Sequence, residues 1–465
     1  MRGLKLQTVG LRSRLEHLVG IGVDIINPVQ VTALHDLEAQ EDSTMADDRI
    51  LATYRIETPH PVEVALEKLV SLISTGTFTP VPGETDEVRA RFGVEVVQIT
   101  SLPPVDRPSL PAWNYRTRKA PDEFHRAEAI LSLPLALTET DLTNLMATLW
   151  GGVFGMSELS GIRLLDLKLP PAFAAAHPGP QFGVRGTRNL TGVHGRPIIA
   201  SIIKPNVGLT PDQTARIVGE LVAAGVDFIK DDEKLTSPIY SPTELRVQAV
   251  MAVIDEHAQR TGKQVMYAFN ISSDDPEEMV RRHDLVAAAG GTAVMVSIAQ
   301  VGLGALRFLR RRSRLPIHAH RNGWELLTRS PFCGIDFRAW HQIYRLAGVD
   351  QIHVNGIRNK FWETDESVVC SIEACLTPLF ADGDQVMPVV GSGMWAGQVP
   401  DTYRLTGGAI DLIYIAGGGI QGHPDGPGAG VTSIRQAWDA ALSGVSLEEY
   451  ARDHSELATA LRRWG

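Results

Sequence analysis

Residues 197–233 read PIIASIIKPNVGLTPDQTARIVGELVAAGVDFIKDDE, and this stretch decides the fold. A short buried-strand run, Pro197–Lys204, ends in a lysine and a turn. An amphipathic stretch, Pro211–Ala224, follows it. A second apolar run, Val226–Lys230, then ends in another lysine and three carboxylates. That is one strand–helix–strand unit, and the same period recurs downstream. Further apolar runs lie at Val265–Asn270, Ala293–Ile298, Leu315–His320, Gln351–Val354, Val386–Val390 and Leu412–Ala416. Helical spacers such as Pro242–Arg260 and Pro276–Ala289 separate them. Eight such strands predict a (β/α)8 TIM barrel over residues 186–465. An open doubly wound sheet is the rival, but it does not usually need eight units, and no GxGxxG follows the first strand.

Upstream the period breaks. Ala52–Ile56 reads as a strand, Pro61–Ser74 as a helix, Val94–Ile99 as a strand before a Pro-rich turn, Ala127–Leu133 as a strand and Asp141–Leu149 as a helix. Two helices crossing a few antiparallel strands form an α+β module, expected at residues 45–185 with a ferredoxin-like arrangement. Residues 1–44 carry a short apolar stretch interrupted by Asp24 and lack a convincing cleavage site, so they are expected to be a peripheral or disordered extension rather than a signal peptide.

The composition excludes several classes. With 44 Lys+Arg against 54 Asp+Glu the net charge is −10, which argues against a phosphate-tracking nucleic-acid partner. The 44% hydrophobic content is globular, and runs such as Leu285–Ala289 are far too short to span a bilayer. Three cysteines, Cys333, Cys370 and Cys375, have neither disulfide-framework nor metal spacing, so a reducing, cytoplasmic setting is expected.

A barrel carries its chemistry at the C-terminal ends of its strands. Reactive residues collect there: Lys204 after the first, Lys230-Asp231-Asp232-Glu233 after the second, Asn270 after the third, and His318, His320 and Arg321 at the fifth. His353 follows at the sixth, with Lys360 seven residues on. Carboxylates beside a strand end offer the hard oxygen ligands that suit Mg²⁺, although an isolated KDDE is more often a solvated turn. Lys230 could add a third oxygen only as a CO2-derived carbamate. Gly391-Ser392-Gly393 and Gly417-Gly418-Gly419, on adjacent strands, can bring bare N–H groups to a phosphate, where a lone glycine cluster would only permit a turn. Either histidine of His318-Ala-His320 can be a plain core residue, and a loop lysine such as Lys360 is usually solvated; as a lid it would bring a cation to a developing charge.

In order and spacing, Ile202-Ile-Lys204-Pro, Gly225-Val-Asp-Phe-Ile-Lys230-Asp-Asp-Glu233, His318-Ala-His320-Arg321 and His353…Lys360 resemble the large chain of RuBisCO. Thr75-Gly-Thr77-Phe78-Thr79 and Gly417-Gly-Gly-Ile-Gln-Gly-His-Pro424 extend the likeness, which runs from Met45 to the C-terminus. The resemblance implies an Mg²⁺ held by carbamylated Lys230, Asp232 and Glu233. It implies Lys204, Lys230, His320 and Lys360 as catalytic residues. Thr77, Phe78, Asn206, Arg321, His353, Gly391, Ser392, Gly393, Gly417 and Gly418 are then the substrate and phosphate contacts. It also implies a homodimer, or an assembly of dimers, in which Thr77 and Phe78 complete the neighbour's site.

The departures are as informative. Asn206 stands where carboxylases carry a second lysine, and Gly391 where they carry a phosphate-loop serine, with Ser392 one place later. Gly152 replaces an asparagine, Phe78 a tryptophan, and Leu72 the acidic partner of the loop lysine. The chain thus resembles a RuBisCO-like protein that keeps the metal centre and changes the substrate. The expected reaction is Mg²⁺-assisted enolate chemistry on a phosphorylated sugar derivative. Retained Lys360 favours decarboxylation, or transcarboxylation and hydrolysis, of a 3-oxo sugar acid phosphate of the 3-oxo-isoapionate 4-phosphate type, as in apiose-type catabolism. The alternatives are an isomerase or enolase of a methylthio-ribulose-type phosphate in methionine salvage, and a non-catalytic binder of a phosphorylated ligand.

Overall fold

The computed structural model describes residues 48–77, 79, 81–110 and 121–465. The extension at residues 1–44 and Phe78 lie outside the described residues.

Eight parallel strands close into a barrel: β5 (Ile198–Ile202), β6 (Phe228–Lys230), β7 (Met266–Asn270), β8 (Ala293–Ser297), β9 (Ile317–His320), β11 (Gln351–Asn355), β12 (Met387–Gly391) and β13 (Ile413–Ala416). Each falls within a residue or two of its apolar run. β13 closes on β5 with Ile413 opposite Ile198 and Ala416 opposite Ser201. The intervening helices start where the sequence offers caps. For Pro211–Ala223, the Thr210 hydroxyl accepts from the Gln213 N–H while the Gln213 side chain accepts from the Thr210 N–H, with proline at the first helical position.

Alternation along the strands separates two cores. Ile198, Ala200, Phe228, Met266, Ala268, Ala293, Met295, Met387, Val389, Ile413 and Ile415 fill the barrel. Their neighbours Ile199, Ile229, Tyr267, Val294, Ala319, Ile352, Val390 and Tyr414 pack outward against the helices. Continuing the inward parity upward gives Lys204, Lys230, Asn270, Ser297, His320, Asn355 and Gly391 as the uppermost ring. The period of two thus aims the chemistry into the barrel mouth.

The N-terminal module is a five-stranded sheet in the order β10-β4-β1-β3-β2, built from β1 (Arg49–Thr58), β2 (Glu95–Val105), β3 (Phe124–Pro134), β4 (Gly161–Lys168) and β10 (Cys333–Ile335). Two helices, Val62–Ile73 and Leu142–Trp150, bury Leu66, Leu69, Leu145 and Leu149 in the same core. Two details differ from expectation. Pro103 and Pro104 lie inside β2 rather than in a turn; β2 is the edge strand, where a missing N–H costs no ladder bond, and its register slips between Leu102 and Val105. The sheet is also not wholly antiparallel, because β10 returns from the barrel segment and pairs parallel with β4. Arg163 of β4 fastens this return, donating to the Thr328 and Ser330 carbonyls at 3.0 and 2.9 Å and to the Thr328 hydroxyl at 2.6 Å. The module is therefore locked to its own barrel. Among the described residues no helix is long and apolar enough to cross a membrane.

Candidate active site at the barrel mouth

The carboxylate nest begins with Asp231, which is spent on architecture. Its carboxylate accepts from the Tyr267 hydroxyl at 2.6 Å, the Asn270 N–H at 2.9 Å and Arg246 at 3.2 Å, all buried. Asn270 in turn donates to the Asp232 and Glu233 carbonyls at 3.2 and 3.0 Å, which fixes the loop that presents both acids. Asp232 is buried and paired with the Lys204 ammonium at 2.8 Å. The same ammonium donates to Asn206 Oδ1 at 2.5 Å, and the Lys204 N–H donates to Gln421 at 3.2 Å. A Cβ on Gly417 would lie 2.8 Å from Lys204 Cε, so the glycine leaves room for the lysine stem where it now stands. Glu233 faces His320 Nε2 at 3.7 Å. Burial works to raise its carboxyl, but its own backbone N–H, Lys230, Asp232 and Lys204 together hold it below the ordinary range.

Lys230 is fully buried, and among the described residues it forms no ion pair. Its ammonium meets only the Asp231 carbonyl at 3.1 Å and Met295 Sδ at 3.5 Å. Burial pushes its pKa down to about 8, against the pull of Glu233 and Asp232. Among the described residues no three His, Cys, Asp or Glu side chains converge to hold a metal unaided. Asp232 and Glu233 are a pair short of one oxygen. A buried, easily neutralised amine beside them is the group that CO2 converts to a carbamate. The donor set therefore fits Mg²⁺ with Lys230 carbamylated.

Three imidazoles gather opposite. His320 and His353 lie with ring centroids 5.0 Å apart, and His318 sits below, its Nδ1 3.0 Å from Gln351 Oε1. Burial, then the Lys230 charge, pushes His320 down to about 3; burial and the neighbouring imidazoles and cations hold His318 and His353 well below the usual histidine range. All three are neutral donors or acceptors at neutral pH.

The two glycine loops meet beside them. A Cβ on Gly391 would come 2.7 Å from His353 Cε1, so the glycine makes room for the imidazole. A Cβ on Gly419 would strike the Met394 carbonyl at 2.1 Å, which shows how closely the loops pack. Gly418 has open space on its Cβ side. Lys360 is exposed; its N–H donates to the Ser392 carbonyl at 3.1 Å and its stem lies against Gly393, with the ammonium 5.1 Å over the Phe361 ring. Arg321 is buried, with Nη2 paired to Glu363 at 2.7 Å and Nη1 without a partner among the described residues.

Lys204, Asn206, Lys230, Asp232, Glu233, His320, Arg321, His353, Lys360 and both glycine clusters thus share one mouth. Thr77 does not join them. It is exposed on the N-terminal module and its hydroxyl bonds to the Thr79 carbonyl in its own loop. Gly152 lies on the same module, where a Cβ would sit 3.9 Å from Leu72 Cδ2. Sequence reasoning missed Asn355, Glu363 and Gln421. Asn355 alone left a signal, since it stands two places after His353 on the inward parity.

Two family descriptions match the chain: "Ribulose bisphosphate carboxylase large chain, N-terminal domain" over residues 39–173 and "Ribulose bisphosphate carboxylase large chain, catalytic domain" over residues 183–464. The chain is 54% identical to a 3-oxo-isoapionate-4-phosphate decarboxylase of Rhizobium etli, covering 89% of this chain and 98% of that one. It is 47% identical to a 3-oxo-isoapionate-4-phosphate transcarboxylase/hydrolase of Xanthobacter autotrophicus, covering 90% and 99%. Among solved structures, a RuBisCO-like protein from Burkholderia fungorum superposes with a TM-score of 0.83 at 42% identity, covering 89% of this chain and 99% of that one.

Proposed function

The chain belongs to the ribulose bisphosphate carboxylase large-chain family, and on that premise we propose that it is a RuBisCO-like decarboxylase of a phosphorylated 3-oxo sugar acid, of the 3-oxo-isoapionate 4-phosphate type. The observation that carries this reading is the 54% identity to a decarboxylase of that substrate along 98% of its length. The lower identity to the transcarboxylase/hydrolase, 47%, favours simple decarboxylation over carboxyl transfer.

The residues divide the task. Arg321 and the backbone N–H groups of residues 391–393 and 417–418 receive the phosphate. Lys360, held against Gly393, faces the carboxylate end of the substrate. Mg²⁺, held by the Lys230 carbamate with Asp232 and Glu233, would supply a Lewis acid for the keto oxygen. When the bond to the carboxyl carbon breaks, the electron pair moves toward that oxygen, and the carbon left behind must gain a proton. Lys204 is the donor. Its ammonium reaches both Asp232 and Asn206, at 2.8 and 2.5 Å, so it stands beside the acids that would hold the metal, and the N–H that Asp232 gives up on loading is free for the substrate carbon. His320 and His353, both neutral, line the pocket without adding charge.

The working unit is a cytoplasmic homodimer, or an assembly of dimers, with Thr77 completing the neighbour's site. Supporting this, the segments that follow β6, β9 and β11 expose Ile239 at 99%, Leu326 at 91% and Phe361 at 50%. Thr77 meanwhile rides on a module that β10 locks to its own barrel.

Screening 3-oxo sugar-acid phosphates and methylthio-sugar phosphates against wild type and Lys204→Ala tests the assignment. Turnover of the sugar acid alone, lost in the variant, is expected. Turnover of methylthio-sugar phosphates alone would move the assignment to methionine-salvage chemistry, and saturable binding with no turnover of any compound would make the chain a binder.

A further inference from the structure

Six residues, Arg321, Asn355, Lys360, Glu363, Ser367 and Ser392, form one chain of hydrogen bonds that neither the metal nest nor the glycine cradle requires by itself, and the Arg321–Glu363–Asn355 centre of it is buried. Arg321, after β9, donates to Glu363 Oε2 at 2.7 Å. Asn355, at the end of β11, donates its amide to the same oxygen. Glu363 Oε1 accepts from Ser367 at 2.8 Å, which anchors the carboxylate to the first turn of the following helix. Asn355 Oδ1 accepts from the Ser392 hydroxyl at 2.6 Å, and the Ser392 carbonyl accepts from the Lys360 N–H at 3.1 Å. Ser392 holds a φ of +77°, a strained conformation for a side-chain-bearing residue that these two bonds maintain. Asn359 closes the loop from within, donating to the Gly356 and Glu363 carbonyls at 3.0 Å each.

We infer that Glu363 is a positioning residue that couples the anion seat to the lysine loop: it balances the Arg321 charge while the phosphate is absent and, through Asn355 and Ser392, sets where Lys360 stands. Arg321 and Glu363 are both almost wholly buried, so each is the other's counter-ion. The arginine keeps one nitrogen unbonded among the described residues, so it can engage an anion without first breaking the pair. A buried arginine that loses its carboxylate seeks another anion. A phosphate monoester is the anion the cradle would supply.

The inference rests on the reading of the glycine cradle as the phosphate seat, and inorganic phosphate separates the two. Isothermal titration with inorganic phosphate, and the rate of tryptic cleavage after the exposed Arg358 and Lys360, are compared in wild type, Glu363→Gln and Asn355→Ala. Glu363→Gln is expected to bind phosphate at least about threefold more tightly, because the phosphate replaces the lost counter-ion, and to be cleaved faster. Asn355→Ala keeps the ion pair, so it folds, binds phosphate within about twofold of wild type and is also cleaved faster. Tighter binding with faster cleavage is a pattern that general loosening of the fold does not produce. Weaker or unchanged phosphate binding in Glu363→Gln, or unchanged cleavage in Asn355→Ala, overturns the coupling. Absence of saturable phosphate binding by wild type overturns the cradle reading and the coupling together.

Discussion

The Lys204 ammonium lies 2.8 Å from the buried carboxylate of Asp232, so without metal a lysine neutralises one of the two acids expected to bind it. Cation and lysine then compete for the same oxygen. Lys204→Met is expected to bind Mn²⁺ about 3- to 10-fold more tightly than wild type at saturating CO2, by electron paramagnetic resonance titration, while losing turnover. Unchanged or weaker affinity would show that the pair does not oppose loading.

Lys230 has the opposite problem, a cation buried without an ion-pair partner among the described residues. Its folded pKa, about 8, lies below the ordinary 10.5, so below pH 8 the folded state bears a charge that it would rather shed. Stability therefore rises with pH between these two values, where the unfolded chain binds more protons. Lys230→Met should be more stable than wild type by roughly 3 kcal/mol at pH 7, with CO2 and metal excluded, and the gap should close as pH climbs from 8 toward 10.5. Urea midpoints at pH 7 and pH 10 measure both.

Restoring the carboxylase-type serine at position 391 is expected to do harm. Its Cβ would press on His353 at 2.7 Å and on Ile415 Cγ2 at 3.0 Å. Gly391→Ser should lose about 1–3 kcal/mol of stability and weaken inorganic phosphate binding, both accessible by denaturation and titration.

Glu57 anchors the N-terminal module. Buried in β1, it accepts from the Ser109 N–H at 2.6 Å, the Ser109 hydroxyl at 2.7 Å, the Ser160 hydroxyl at 2.8 Å and Arg126 at 2.8 Å. Burial raises its pKa, but these four donors outweigh it and hold the carboxyl below 4.5. A depressed carboxyl stabilises above its unfolded pKa and loses that contribution as pH falls through the folded value. Glu57→Gln should lose about 2–4 kcal/mol at pH 7, and the difference should shrink below pH 4.

The barrel and the gathering of lysine and carboxylates at its mouth were legible because both are local. An apolar run ending in lysine and carboxylates fixes strand, parity and chemistry together, as Phe228-Ile-Lys230 does. What was not legible depends on distant pairing. The run Gly161–Lys168 carried no partner on its face, and three residues, Cys333–Ile335, are too few to announce a strand until β4 lies beside them. Asp231 reads like its neighbours Asp232 and Glu233, and only Tyr267, Arg246 and Asn270 show that it is structural. Glu363 is a loop acid in sequence; its burial against Arg321 comes from the close approach of the β9 and β11 ends.

The central claim is carbon–carbon cleavage at this mouth. 3-Oxo-isoapionate 4-phosphate labelled with ¹³C in its carboxyl group, incubated with the Mg²⁺- and CO2-treated enzyme and followed by ¹³C NMR, tests it most directly. The label should appear as CO2 and bicarbonate, with one solvent-derived proton on the carbon that lost it, and Lys204→Ala should abolish both. Label that stays in an organic carboxylate while the substrate is consumed would contradict the account.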